Sequence, residues 1–318
     1  MKRLTILLLL IIPLLFCTSW GFFAHRRINQ LAIFTLPTDM ITFYKTANKY
    51  IVEHAVDPDK RRYIDTLEAP RHYLDVENYE THIDSIPEKF NDALAKYGQK
   101  KLNESGIVPW QIQRTYYSLV KAFKTHDSLK ILKYSAELGH YIGDAHVPLH
   151  TTHNHNGQLT NQHGIHAFWE SRIPELFAGK YNFLVGKATY IVDPLKSAWK
   201  IVKHSHGLLD SVLKFEAELN KSFPSDQKYS FSERSNVVIK QYSEAYSKAY
   251  QDRMNGMVEK QMRSAILSIG SFWYSAWVDA GQPTLKNLVK IEPTLEELKA
   301  EELLNKKYQG GKIIGREN

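Results

Sequence analysis

Cysteine is almost missing. Cys17 is the only one in 318 residues, so the chain can form no internal disulfide and must be held by packing or by a bound metal. No Pro-, Gly- or Ser-rich linker interrupts it and no repeat recurs, which favours one large domain over two. The longest apolar run lies in residues 1–16, MKRLTILLLLIIPLLF, and falls short of the ~20 residues of a membrane span. Its basic start and the small residues Cys17-Thr18-Ser19 fit a cleavable export signal ending before Trp20, with a membrane anchor as the competing reading. Bulky Phe16 argues against a lipid anchor on Cys17. A formal charge of +7, lowered by two when Lys2 and Arg3 leave with the signal, suits a polyanionic substrate or an anionic membrane surface. It is equally ordinary for an exported protein.

The remaining sequence reads as helix nearly throughout. Amphipathic segments run from His25 to Phe34, from Met40 to His54 after the start signal Pro37-Thr38-Asp39, from Pro109 to His126 and from Leu129 to Asp144. Ser232-Glu233 is expected to open a long helix reaching about Ala280, with kinks at Gly256 and Gly270. Its aromatics Phe272, Trp273, Tyr274 and Trp277 read as core. The extended candidates are Tyr181–Val185 and Thr189–Val192. The expected fold is all-α, a single large domain with room for one small β-hairpin. Residues 1–19 are assigned to the signal, 20–290 to the helical domain, and 291–318, with one short helix from Leu295 to Leu304, to a charged tail that is solvated or docked at an edge.

Function concentrates between His140 and Glu170. His140 and Asp144 stand four residues apart, as do His166 and Glu170, so each pair projects from one helix face and can grip one metal ion. Taken singly, such a histidine is more often a satisfied core residue, and Asp57-Pro58-Asp59 is an ordinary turn or helix start. The whole set in its order is more specific. Trp20 with nearby His25, then Asp57, His72 in RHYLD, HYIGDAHVPLH, and His166-x3-Glu170 resemble the trinuclear zinc phosphodiesterases, which join the single-strand nucleases S-one and P-one to the bacterial zinc-dependent phospholipases C.

That resemblance implies three zinc ions. Asp57, His72, His140 and Asp144 would hold one, with Asp144 bridging to a second held by His25 and by the free α-amino group and carbonyl oxygen of Trp20. His150, His166 and Glu170 would hold the third. Removal of the signal would then create a ligand that the precursor lacks. The ions would activate water and neutralise phosphoryl charge, Asp57 would help to orient the water, and Lys60 would stand as a cation beside the phosphate. Tyr73 and Asp75 occupy the places of a base site, with stacking on Tyr73 and hydrogen bonding by Asp75; the competing reading makes Tyr73 core and Asp75 a partner that steers His72. His146, His153, His155, His163 and the pair His204-x-His206 receive no metal, although His153 or His155 could reach substrate or steer a ligand.

The expected activity is an exported, zinc-dependent hydrolysis of single-stranded DNA or RNA to 5′-phosphorylated products, with 3′-nucleotidase activity as an addition. The location is periplasmic or extracellular. The short gap from Trp20 to His25 resembles the nucleases, whereas Glu170 and the short insertion from Thr151 to Ile165 resemble the phospholipases. A phospholipase C acting on phospholipid is therefore the enzymatic alternative, and a zinc-binding exported protein without turnover is the non-enzymatic one.

Overall fold

The computed structural model describes residues 22–234, 237–286, 288 and 295–314; the expected signal and Trp20 lie outside them. The helices are α1 (Phe22–Ala32), α2 (Thr38–Thr46), α3 (Asn48–His54), α4 (Asp57–Arg61), α5 (Val76–Tyr79), α6 (Phe90–Ser105), α7 (Val108–Lys124), α8 (Ser128–Ala145), α9 (Ile165–Ala167), α10 (Ile173–Phe177), α11 (Pro194–His206), α12 (Leu209–Ser222), α13 (Glu244–Arg253), α14 (Met257–Asp279) and α15 (Leu295–Gly310). The described residues are all-α apart from one two-stranded sheet.

Helix α8 organises the rest. Asp127 caps it by accepting from the Lys130 amide at 3.0 Å, and every residue from Ser135 to Ala145 is buried. A helix buried on all sides belongs at the centre, and α1, α3, α7, α11 and α14 pack around it. Against its middle, Tyr44 stacks on Trp273 with centroids 5.0 Å apart. The Tyr44 hydroxyl pairs with Ser135 Oγ at 2.8 Å and the Trp273 indole donates to the Ser135 carbonyl at 2.9 Å, so these large rings are buried without stranding a polar atom. Phe272 and Trp277 are also buried and Tyr274 is half-buried, in keeping with a core origin for this aromatic run.

Two expectations require correction. No helix starts at Ser232: β1 (Tyr229–Arg234) and β2 (Val237–Tyr242) pair antiparallel, with Tyr229 opposite Tyr242 and Phe231 opposite Lys240. The β-branched and aromatic content of VVIKQY favours a strand, and the helix start falls eleven residues later, where Ser243 caps α13 by accepting from the Tyr246 amide at 3.1 Å. Gly256, at φ 72°, separates α13 from α14, but Gly270 passes through α14 as ordinary helix. Segments 181–185 and 189–192 form no strand. Their outer part is pinned by side chains: the Thr189 amide donates to Ser271 Oγ at 3.1 Å and the Ile191 amide to Ser275 Oγ at 2.8 Å. Residues near the end dock at an edge, where α15 lies against α4, the Tyr308 ring sits 5.6 Å from Phe22 and 5.2 Å from Tyr63, and the Ile314 amide donates to the Arg62 carbonyl at 2.8 Å.

Candidate metal centre

Six elements deliver donors to one buried point. His140 and Asp144 come from the central helix α8, and His25 comes from α1. His72 ends the 3₁₀ turn Ala69–His72, and His150 lies in the turn Pro148–Thr151. His166 belongs to α9, while Glu170 belongs to the single π turn Phe168–Arg172, a local widening of helix found often at functional sites. Close approach of α1 to α8 depends on two glycines one turn apart. A Cβ on Gly139 would overlap Asn29 Oδ1, and one on Gly143 would stand 3.0 Å from His25 Nδ1.

The carboxylates join the imidazoles into one cluster. Asp144 Oδ1 lies 3.3 Å from His25 Nε2, while its Oδ2 lies 3.0 Å from His72 Nδ1 and 3.3 Å from His140 Nε2. Glu170 Oε1 stands 3.2 Å from His25 Nε2; Oε2 stands 2.8 Å from His166 Nε2 and 3.3 Å from His150 Nε2. Three groups have donor atoms mutually within 4.8 Å: His25 with His140 and Asp144, Asp59 with His72 and His140, and His150 with His166 and Glu170.

Ring tautomers are set from outside the cluster. His140 Nδ1 donates to the Ala55 carbonyl at 2.9 Å and His150 Nδ1 to the His72 carbonyl at 2.7 Å, so in each neutral ring Nε2 keeps a lone pair aimed inward. Asp144 Oδ2 is buried and faces two ring nitrogens, yet accepts no hydrogen bond of adequate geometry. Inward lone pairs, an orphaned carboxylate oxygen and a donor set of nitrogen and oxygen without sulfur fit zinc or a similar divalent ion. Burial pushes Asp144 and Glu170 toward the neutral form. Facing histidines outweigh it, His140 and His150 for Asp144 and His150 and His166 for Glu170, and hold both carboxyls well below the usual range. Burial likewise disfavours charge on His25, but Asp144 and Glu170 outweigh it and raise its pKa well above the ordinary value.

Beneath His72 lies an ionic network that the sequence reading missed. Glu68 is fully buried, accepts from the Tyr141 hydroxyl at 2.5 Å, Arg61 Nε at 3.1 Å and Arg71 at 2.6 Å, and stands 3.4 Å from His72 Nε2. Arg61 also reaches Glu137 at 2.7 Å. The Glu68–His72 spacing of four is the signal that could have revealed it. Glu68 thus lies on the Nε2 side of His72, opposite Nδ1, which faces Asp144.

Asp57, expected as a ligand, belongs to none of the three groups. Its Oδ2 bonds His54 Nδ1 at 2.5 Å and its Oδ1 bonds Lys60 Nζ at 3.1 Å; burial would raise its pKa, but these partners lower it. Asp59 instead brings Oδ1 to 3.7 Å from both His72 Nδ1 and His140 Nε2. Two positions along α4 turn a side chain to a different side, and the motif DPDKRR offers both carboxylates. Tyr73 is only 7% exposed and Asp75 only 4%, and Tyr73 packs so closely on Gly106 that a Cβ there would overlap it. A ring so covered is packed as core, in line with the competing reading. His146 donates from Nδ1 to the Ile142 carbonyl at 2.7 Å and belongs to none of the three groups. His153 lies 3.5 Å from Glu77, and the His155 ring stands 6.2 Å from that of His166. Trp20, expected to add its amine, lies outside the described residues.

Comparison with known families places these donors in context. The family model described as S1/P1 Nuclease matches residues 20–270, a span that contains all three donor groups. No curated protein matches the chain.

Proposed function

The chain belongs to the S1/P1 nuclease family, and from that premise we propose that it is an exported, zinc-dependent phosphodiesterase that cleaves single-stranded DNA or RNA to 5′-phosphorylated products, with 3′-nucleotidase activity at the same site. The observation that carries the zinc reading is Asp144, whose two oxygens face two different imidazole groups while Glu170 joins the third. That is the arrangement of a bridging carboxylate. In this reading Asp59, His72, His140 and Asp144 would hold one ion, Asp144 and His25 with the Trp20 amine the second, and His150, His166 and Glu170 the third. Zinc held there supplies Lewis-acid polarisation of phosphoryl oxygens and activation of water near neutral pH.

The protein's own part is to keep the donors fixed. Carbonyls of Ala55 and His72 hold the tautomers of His140 and His150, buried Glu68 faces Nε2 of His72, and the central helix keeps His140 and Asp144 from yielding. Asp57 serves here as the anchor of Lys60, 3.1 Å away, and Lys60 is the cation offered to a phosphate. Residues 1–19 act as the export signal, residues 20–290 as the catalytic domain and 291–318 as the tail.

The test is turnover by protein beginning at Trp20, with and without added zinc, on single-stranded DNA, single-stranded RNA and phosphatidylcholine. Zinc-dependent cleavage of the nucleic acids with little lipid hydrolysis is expected. Preferential lipid hydrolysis would transfer the chain to the phospholipase C reading, and zinc binding without any turnover would leave it a silent metal protein.

A further inference from the structure

A second cleft lies apart from the metal cluster, between α11, α14 and the extended segment at 189–191, with His146 among its lining residues and a volume of about 310 Å³. It falls at the lower end of the ~300–1,000 Å³ of small-molecule sites. Helix α14 carries a row of serines, and the row is divided in its use. Ser271 and Ser275 accept the amides of Thr189 and Ile191 and so build the outer wall. Ser264, exposed, and Ser268, half-buried, are the next members of the row and line the cleft, and neither hydroxyl bonds another described residue. Opposite them, α11 presents Lys200 and His204, one turn apart, both exposed and neither paired with an acidic group among the described residues. No Asp or Glu lines the cleft, whereas Ile191, Ile201 and Leu267 give it apolar walls.

These features select a ligand class. A lysine and an imidazole one turn apart, with two hydroxyl donors and no carboxylate, suit a phosphate-type anion. The apolar walls suit a flat organic group attached to that anion. We propose that this cleft binds a small phosphorylated organic molecule, specifically a nucleoside 5′-monophosphate, with its phosphate at Lys200 and His204 and its base between the apolar walls. The choice of nucleotide rests on the function proposed above, since that reaction releases such molecules. The cleft is a site for product, distinct from the place where product forms. His146 touches both this cleft and the small cavity beside His25 and Glu170, so the two places share a wall.

Equilibrium binding of adenosine 5′-monophosphate to the zinc-loaded protein tests this, using Lys200→Glu on the rim and Ser268→Trp to fill the cleft. The parent is expected to bind two equivalents, one at the metals and one in the cleft. Lys200→Glu should weaken the cleft class at least tenfold and Ser268→Trp should abolish it, with phosphodiester turnover retained in both. Adenosine and inorganic phosphate, each carrying half of the recognition, should bind the cleft at least tenfold more weakly. Unchanged stoichiometry and affinity in Lys200→Glu would overturn the proposal even if Ser268→Trp failed to fold, and so would inorganic phosphate binding as tightly as the nucleotide. Turnover of single-stranded DNA by the same parent sample reports separately on the proposed function: its absence would sink that reading while selective loss of one binding class in the variants upheld the cleft.

Discussion

Replacing Gly143 by Ala removes no donor atom, yet it should damage the metal centre. The new methyl group would meet Ile28 Cδ1 at 2.8 Å, His25 Nδ1 at 3.0 Å and His25 Cε1 at 3.1 Å. Carbon atoms rest at ~3.5–4.0 Å, so the ring and the isoleucine must retreat by about 0.5 Å. The ring is held at its far edge by Asp144 and Glu170 at 3.3 and 3.2 Å, so retreat moves Nε2 relative to both carboxylates. Overpacking of a dense core costs about 1–3 kcal/mol, and gaining Ala for Gly inside a helix returns about 1 kcal/mol. The metal-free variant should therefore unfold in denaturant about 0–2 kcal/mol more easily than the parent. Function should suffer more, because donors displaced by ~0.5 Å leave the tolerance of a metal site. Zinc per chain, denaturant midpoint and phosphodiester turnover would be read together, with Gly179→Ala as control because a Cβ there meets nothing within 4 Å. Turnover should fall at least tenfold in Gly143→Ala and stay level in the control. A Gly143→Ala protein that is more stable than the parent, holds full zinc and turns over normally would refute the packing account of His25.

Three further outcomes follow from the same geometry. Asp144→Asn should lose hydrolysis and part of the tightly bound zinc, whereas His146→Gln should keep most of the metal; equal zinc loss would deny Asp144 its bridging place. Tyr73→Ala should destabilise the fold by about 3–5 kcal/mol, as loss of a buried aromatic does, and should lower turnover of an oligonucleotide and of a small baseless phosphodiester in proportion; selective loss on the oligonucleotide would restore the stacking role. Zinc binding near neutral pH should release protons, because His25 and His72 have raised pKa values in the metal-free chain, the pull of Asp144 on both outweighing burial. Calorimetry in buffers of different ionisation enthalpy measures this directly, and proton uptake on binding would contradict it.

The sequence made the helical class and the site's donors legible to different depths. His140 with Asp144 and His166 with Glu170 stand out because a spacing of four puts two donors on one helical face, and their order through the chain is specific to the family. The choice between Asp57 and Asp59 was not legible, because DPDKRR offers both and only the seating of α4 on α8 decides which carboxylate reaches His72 and His140. Glu68 was visible in principle from its spacing to His72, but its role depends on Arg61, Arg71 and Tyr141 converging from three places. The hairpin was misread as helix because Ser232-Glu233 imitates a helix start, while the true cap at Ser243 follows a β-branched run. Segment 189–192 has a strand-like composition, but its backbone amides are satisfied by serine hydroxyls of α14, an arrangement that no local pattern announces.

The central claim is that this cluster holds three zinc ions with Asp144 shared between two of them. Anomalous diffraction at the zinc edge, from crystals of protein beginning at Trp20, addresses it most directly. The account predicts three peaks: one among His72, His140 and Asp144, one between Asp144 and His25 beside the Trp20 amine, and one among His150, His166 and Glu170. A single peak, or a cluster of side chains with no peak in zinc-replete crystals, would contradict it.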